Sequence, residues 1–436
     1  EGQGGCWGGG DAPFPSTTAL FIDSTPLCEI KKVTASQDDD FVRVLTKKHP
    51  KQVSAYGLRP ILFRPCTPHG TPGQVGRTLI EPVQGRGLGC FLSMLSGTKT
   101  NGLYLLIDNI VRGSFEVGMS PHELLQGRPV AVIGAGLVGA GWAIVFARAG
   151  LHVRLYDVNP EATRWALALI AEQLKELKSF GLVDDPVATA ALVKPAYELV
   201  EAVDGAAYAQ ESVLERVELK RNLMQEIEAV APFDLVIGSS SSGIPASAFT
   251  HGLKIASRVL VVHPVNPPYL VPVVELVPSP DTSPATVEFA DALMRGLKRS
   301  VVHVRKEVQG FVLNRLQSAL LREAWALVED GVASCEDIDR TMRDGLGWRW
   351  SFMGPFETID LNAQGGVADY ANRLGTLCQE IAQSRTHQEP WSPELISKVE
   401  AERRTVLSQD ELARRRAWRD RRLMALAAER EKEPMR

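Results

Sequence analysis

A glycine pattern directly after a short apolar run constrains this chain more than any other feature of its sequence. Residues 130–133 read Val-Ala-Val-Ile, typical of a buried strand, and they lead into Gly134-x-Gly136-x-x-Gly139. Gly134 permits a tight turn, Gly136 lets the backbone approach a pyrophosphate, and Gly139 lets helix and strand pack closely. A helix that begins near Leu137 would offer its free N–H groups to that pyrophosphate. The sequence therefore predicts a dinucleotide-binding βαβ unit.

A carboxylate at the end of the next predicted strand indicates which dinucleotide is bound. Val153–Tyr156 reads as a strand and Asp157 follows it. A carboxylate at this position accepts hydrogen bonds from the adenosine ribose hydroxyls and repels a 2′-phosphate, which favours NAD over NADP. Asp157 could instead cap the next helix, but Asn159 supplies that cap and Pro160 fits the first helical position.

The alternation of strand and helix patterns after Gly127 predicts an α/β fold, a Rossmann-type doubly wound parallel sheet. The predicted strands are Val130–Ile133, Val153–Tyr156, Ala207–Ser212, Leu235–Gly238, Val259–Val262, Val273–Val277 and Val301–Val304. The predicted helices among them are Pro160–Phe180, Glu215–Val230 and Pro284–Gly296. Strand patterns stop after Lys306, and the remainder reads as helices, among them Gly310–Asp330, one capped by Ser334, and Glu411–Lys432. An all-helical C-terminal domain is therefore expected.

Three regions follow from these patterns. Residues 1–126 hold Gly- and Pro-rich stretches without lasting periodicity, and we expect a poorly structured extension without an assigned function. This extension resembles neither a transit peptide nor a secretory signal. Residues 127–306 are expected to form the NAD-binding domain and residues 307–436 the helical domain.

Composition excludes several classes of function. The hydrophobic fraction is 44%, the charged fraction 23% and the net charge −4, so neither nucleic acid nor an anionic membrane is expected as the main partner. No apolar run is long enough to span a bilayer. The 6 cysteines are scattered without a CxxC pair, which argues against a disulfide framework or a zinc site and fits the cytoplasm.

Four polar residues lie at places where an open α/β sheet carries function. Ser242 follows the strand Leu235–Gly238, and His263 ends the next strand. Glu275 lies in an otherwise apolar strand, where a lone carboxylate is costly without a partner, and Asn314 comes early on the first long helix of the second domain. Together these residues indicate a hydride-transfer site.

The chemistry of oxidising a secondary alcohol assigns a role to each of the four. His263 would be the base for the hydroxyl proton, and Glu275 would fix its tautomer. Ser242 and Asn314 would hydrogen-bond the reacting oxygen. Less specific interpretations are a satisfied core histidine, a polar turn of serines after a strand, and an asparagine on a helix surface.

Together with further motifs, these residues resemble the 3-hydroxyacyl-CoA dehydrogenase family, over roughly residues 128–430 of the chain. The motifs that carry the resemblance are His263-Pro-Val-Asn-Pro-Pro-Tyr269, Val274-Glu-Leu-Val277, Glu307-Val-Gln-Gly-Phe-Val-Leu-Asn-Arg-Leu-Gln317, Gly345-Leu-Gly-Trp-Arg349 and Gly354-Pro-Phe-Glu-Thr358. The resemblance implies NAD as cofactor, a helical dimerisation domain and a homodimer. It also implies the catalytic set Ser242, His263, Glu275 and Asn314, and NAD contacts at Leu137, Val138, Asp157, Glu215 and Lys220.

The expected substrate is a small molecule, a free 3-hydroxy acid such as L-gulonate. The four-serine loop and Gln309, where acyl-CoA enzymes carry Pro, are departures that concern the substrate and not the reaction. Arg349 is the candidate cation for the substrate carboxylate. Alternatives are oxidation of a 3-hydroxyacyl-CoA or of carnitine, a structural protein valued for solubility and packing, and a nucleotide sensor without turnover.

Overall fold

The structure of the chain is a computed structural model and describes residues 119–385 and 389–432. Residues 1–118 of the predicted, poorly structured extension lie outside the described residues. Just before Gly127 the structure has a short helix, α1 (Pro121–Leu124), with a capping box at Ser120. Leu125 follows it and is fully buried. Residues 120–125, which the sequence assigned to the extension, therefore form packed structure.

Eight strands form one sheet in the order β3-β2-β1-β4-β5-β6-β7-β8. Their bounds are β1 Val130–Ile133, β2 Val153–Tyr156, β3 Val193–Pro195, β4 Tyr208–Glu211, β5 Val236–Ser239, β6 Val259–Pro264, β7 Val273–Pro278 and β8 Ser300–His303. The fold class predicted from the sequence is confirmed. The strand β3 escaped prediction, because it has three residues and ends in proline.

The sheet departs from the predicted all-parallel arrangement at one edge. Strand β7 runs antiparallel to β6, and β8 pairs parallel with β7. The chain between Pro264 and Val273 is too short for the crossover that a parallel pair requires. As a consequence, residues near the end of β6 lie directly opposite residues of β7.

Helices cover both faces of the sheet and continue beyond it. The helices up to β8 are α2 Leu137–Arg148, α3 Pro160–Ser179, α4 Pro186–Ala191, α5 Leu199–Val203, α6 Val217–Val230, α7 Ser247–Thr250 and α8 Pro284–Gly296. After β8 come α9 Leu313–Glu329, α10 Cys335–Arg340, α11 Gly347–Trp350, α12 Pro355–Leu361, α13 Gly366–Gln383, α14 Pro393–Val406 and α15 Leu412–Lys432. Within residues 119–385 and 389–432, none of these helices is long and apolar enough to cross a membrane.

Two helix starts matter for the site. Asn159 caps α3 through its side chain and Pro160 occupies the first turn, as predicted. The helix α9 begins at Leu313 and not at Gly310, because Gly310 and Phe311 have φ values of +75° and +51°. Helical backbone requires a negative φ, so these two residues form a turn instead.

The glycine motif sits at the centre of the sheet. An added Cβ at Gly139 would lie 1.8 Å from the carbonyl oxygen of Gly134, so this position admits no side chain. Gly134 has a φ of +102°, and a Cβ there would lie 2.5 Å from the carbonyl oxygen of Ser212. Strands β1 and β4 are neighbours, while β2 lies on the other side of β1. This reversal of strand order opens the crevice in which doubly wound sheets bind dinucleotides.

Candidate active site

The crevice beside β1 has the features that a pyrophosphate requires. The N-terminus of α2 has no side-chain cap, so its first N–H groups are left for a ligand. At Gly136 an added Cβ would meet no atom within 4 Å, which leaves open space beside the backbone. Leu137 is exposed and Val138 half-buried at the same rim. The residues present therefore fit a dinucleotide.

Asp157 holds the turn that carries this motif. Its Oδ2 accepts a hydrogen bond from the backbone N–H of Ala135 at 2.8 Å, and its Oδ1 accepts one from Asn159 at 2.9 Å. The side chain is partly exposed. The carboxylate is thus fixed at the end of β2, beside the glycine turn.

His263 and Glu275 form a buried pair because of the β6–β7 pairing. They are direct cross-strand partners in that antiparallel ladder. The imidazole Nδ1 lies 2.7 Å from Glu275 Oε2, and the two residues are only 5% and 2% exposed. A carboxylate on Nδ1 favours the tautomer with the proton on Nδ1, which leaves Nε2 unprotonated and able to accept a proton.

The second oxygen of Glu275 caps the helix α9. Glu275 Oε1 accepts hydrogen bonds from the backbone N–H groups of Val312 and Leu313 at 2.8 and 2.9 Å. Val312, at the N-cap position, makes no side-chain cap, so Glu275 takes over that task. Burial raises the pKa of Glu275, but the hydrogen bonds from His263, Leu313 and Val312 outweigh burial and hold the pKa below its usual value.

Asn314 and Ser242 are brought together across the junction between β5 and α9. The Asn314 side-chain amide donates to the backbone carbonyl oxygen of Ser242 at 2.6 Å. The backbone N–H of Ser242 in turn donates to Glu215 Oε1 at 2.9 Å. Burial raises the pKa of Glu215, while contacts from Ser241, Lys220 and the loop N–H groups outweigh it, so the pKa lies below its ordinary value. Glu215 is thus an ionised anchor for the serine loop.

A buried ion pair between Lys220 and Glu211, which the sequence analysis did not predict, lies next to Glu215. Lys220 Nζ lies 2.8 Å from Glu211 Oε1 and 3.4 Å from Glu215 Oε2, and its side chain is 1% exposed. Glu211 is fully buried and also accepts a hydrogen bond from the Ser239 hydroxyl at 2.5 Å. The available signal was a carboxylate within the predicted strand Ala207–Ser212, weaker than at Glu275 because Gln210 stands beside it. Lys220, expected to contact NAD, is thus enclosed by the protein.

Lys220→Met is expected to lower the free energy of unfolding by about 3–5 kcal/mol, because it leaves the Glu211 carboxylate buried and unpaired. Chemical denaturation followed by circular dichroism measures this change. Lys194→Met, on an exposed lysine of β3, is the matched control. Equal stability of the two variants would show that the Lys220–Glu211 pair contributes nothing. The double variant Lys220→Met/Glu211→Leu should recover much of the loss, since it removes the unpaired charge.

The four predicted catalytic residues therefore belong to one hydrogen-bonded assembly. It runs from His263 through Glu275 to the first N–H groups of α9, then from Asn314 to Ser242 and Glu215. Arg349 lies on the short helix α11 with an exposed side chain, and its role at the substrate stays a prediction.

Comparison with known proteins places these motifs in a wider group. Residues 129–308 match the family model described as 3-hydroxyacyl-CoA dehydrogenase, NAD binding domain, and residues 310–408 match the model of its C-terminal domain. The helix α15 lies beyond the second match.

Individual relatives agree with the family models. Lambda-crystallin of Oryctolagus cuniculus is 41% identical over 303 residues, 68% of this chain and 95% of that protein. L-carnitine dehydrogenase of Nocardiopsis dassonvillei is 36% identical over 311 residues, 69% of this chain and 91% of that protein. Among solved structures, the NAD+-dependent dismutase FHMPC 5-dehydrogenase has a TM-score of 0.61 and 28% identity, over 71% of this chain and 99% of that one.

Proposed function

Since the chain belongs to the 3-hydroxyacyl-CoA dehydrogenase family and is an NAD-dependent dehydrogenase, we propose that it oxidises the 3-hydroxyl of a small hydroxy acid resembling L-gulonate. The product is the 3-keto acid. The observation that carries this proposal is the buried His263–Glu275 pair at the carboxyl end of β6, on the same edge of the sheet as the crevice at β1 that fits a dinucleotide.

His263 acts as the base in this proposal. The hydroxyl proton of the substrate moves to Nε2 of His263, while the hydrogen on the same carbon leaves as hydride and the C–O bond becomes C=O. NAD+, when bound, supplies the hydride acceptor. Glu275 stabilises the imidazolium that forms, because its carboxylate lies 2.7 Å from Nδ1. Ser242 and Asn314 position the reacting oxygen.

The cofactor is held by the residues around the βαβ turn. Gly134, Gly136 and Gly139 give the backbone its close approach, and the N–H groups of Leu137 and Val138 bind the pyrophosphate. Asp157 accepts the ribose hydroxyls. Glu215 and Lys220 complete the set: Glu215 borders the crevice at the serine loop, and Lys220 acts through its contact with Glu215.

Asp157→Asn is expected to raise the ratio of kcat/KM with NADP+ to that with NAD+ by about tenfold, since the substitution removes the charge that repels a 2′-phosphate. Steady-state rates with the two cofactors measure the ratio. Asp184→Asn, at an exposed aspartate after α3, is the control and should leave the ratio unchanged. An unchanged ratio in Asp157→Asn would mean that Asp157 does not face the ribose.

We assign a separate function to each of the two predicted domains. Residues 127–306 bind NAD, and residues 307–436 bind the substrate and carry the contact of a homodimer. The protein acts in the cytoplasm.

The helix α13 offers a surface for that dimer contact. Among the described residues, it has no buried member, and it exposes Val367, Leu377 and Ile381. Apolar area of this kind marks a protein–protein contact. Leu377→Glu should lower the molar mass measured by light scattering if α13 lies in the dimer interface.

The substrate is tested by offering L-gulonate, L-carnitine and 3-hydroxybutyryl-CoA to the full chain with NAD+ and measuring NADH absorbance. Turnover of L-gulonate with a kcat/KM at least about tenfold above the other two supports the proposal. Preference for L-carnitine or for the thioester would contradict it and favour the alternative. The similarity to lambda-crystallin makes a structural role the second candidate. Absence of turnover with all three substrates would favour that role.

A further inference from the structure

Phe311 lies at the junction between the β-sheet and the helical part, and its backbone is unusual for a residue with a side chain. Its φ is +51°, directly after Gly310 at +75°. Side chains disfavour this left-handed region, and a bulky residue there is an outlier. Such a conformation persists only where the surroundings hold it in place, and it is concentrated at functional sites.

The conformation directs the two following N–H groups toward one carboxylate. The Phe311 N–H closes a turn onto the carbonyl oxygen of Val308 at 3.0 Å. The next two N–H groups, of Val312 and Leu313, both reach Glu275 Oε1. Asn314 follows within the first turn of α9. The turn at Phe311 therefore sets both the second contact of Glu275 and the position from which Asn314 reaches Ser242.

The ring of Phe311 lies close to the imidazole of His263, the partner of Glu275. It is fully buried, and its centroid lies 5.7 Å from that of the His263 imidazole, with the ring planes tilted by 58°. It belongs to the same core cluster as Val261 and Val304. A hydrocarbon ring at this place excludes water from the hydrogen bond between His263 and Glu275 and thereby strengthens that bond.

We propose that Phe311 is a positioning residue for the His263–Glu275 pair, through its left-handed backbone, which delivers two N–H groups to Glu275, and through its ring, which shields the imidazole. This proposal rests on the proposed role of His263 as base. Phe311 itself transfers no proton and needs no contact with substrate or cofactor. Its backbone and its ring make separate contributions, which different substitutions separate.

Three substitutions distinguish backbone from ring. Phe311→Val removes the ring and introduces a β-branched residue, which tolerates positive φ poorly. Phe311→Gly removes the ring but adopts the left-handed conformation freely. Phe311→Leu retains apolar volume. Amide hydrogen exchange at Val312 and Leu313 reports the backbone contact with Glu275 without any substrate, and kcat and KM report the reaction.

We expect Phe311→Val to lose protection of both amides and to lower kcat by about 100-fold, with KM for NAD+ within about twofold of the unsubstituted protein, because a small misplacement of catalytic groups has an effect of this size. Phe311→Gly should retain the protection and lower kcat by about tenfold. The kcat of Phe311→Leu should lie closer to that of the unsubstituted protein than the kcat of Phe311→Gly does. If Phe311→Val does not fold, the comparison of Gly with Leu decides the question of the ring.

Two controls match the substitutions. Phe146→Val removes a fully buried phenylalanine of α2 that packs on Tyr208, and Lys298→Gly relieves another positive φ, of +56°, away from the pair. Neither should change kcat by more than about twofold. Unchanged amide protection in Phe311→Val, or unchanged kcat in both Val and Gly, would overturn the proposal. If the unsubstituted protein turned over none of the three substrates, the proposed function would fail, while exchange at Val312 and Leu313 would still decide the backbone role of Phe311.

Discussion

His263→Ala is expected to lower kcat by about 10³-fold while leaving the affinity for NADH within about twofold, because general-base catalysis contributes 10²- to 10⁴-fold and the dinucleotide crevice lies at other strand ends. The imidazole is 5% exposed and pairs through Nδ1 with Glu275, so Nε2 is the nitrogen left to accept a proton. Steady-state NADH formation gives kcat, and quenching of tryptophan fluorescence by NADH gives the affinity.

The control for this substitution is His152→Ala, at an exposed histidine before β2, which should keep full activity. A drop in NADH affinity equal to the drop in kcat/KM would contradict the assignment, since it would place His263 in cofactor binding. Recovery of part of the rate by added imidazole would support the assignment of the base further.

Glu275→Gln is expected to lower kcat by about 10²- to 10⁴-fold, although it preserves the shape of the side chain. Its amide oxygen can still accept the N–H groups of Val312 and Leu313, which orients the amide nitrogen toward His263 Nδ1. A donor at that place forces Nδ1 to accept, so the ring proton moves to Nε2 and the base is lost. Glu275 acts through His263, so the double variant His263→Ala/Glu275→Gln should be no slower than His263→Ala.

The same substitution changes the response of stability to acid. The folded protein holds the pKa of Glu275 below its ordinary value of 4.5, so the unfolded chain binds that proton more readily. The contribution to stability is therefore complete above pH 4.5 and is lost as the pH falls through the folded pKa. Acid titration of the unfolding free energy should be shallower below pH 4.5 in Glu275→Gln. Identical slopes in both proteins would contradict a low pKa at Glu275.

Local sequence signals were sufficient for the nucleotide-binding half. The strand Val130–Ile133 and the helix Pro284–Gly296 have the predicted bounds, because apolar periodicity and capping residues are local properties of the chain. The contact between His263 and Glu275 was predicted on chemical grounds. Its cause, the antiparallel pairing of β6 with β7, was not predicted, because the direction of a strand depends on its connection and not on its own residues.

What the sequence did not indicate depends on packing between distant segments. Glu275 caps α9 across 37 positions of the chain, and periodicity cannot report such a contact. The left-handed turn at Phe311 replaced the predicted first turn of α9, because this contact overrides helix propensity. Likewise the burial of Lys220 beside Glu211 follows from the packing of α6 on β4 and β5.

Isotopic labelling shows whether hydride moves from the substrate carbon to NAD+. The full chain is incubated with NAD+ and with L-gulonate, L-carnitine or 3-hydroxybutyryl-CoA, each deuterated at C3, and the mass of the reduced cofactor is measured. We expect reduced nicotinamide that carries the deuterium from at least one of these, and about 10³-fold less of it in the same time with His263→Ala. Firm binding of NADH without deuterium transfer from any of the three would contradict this expectation.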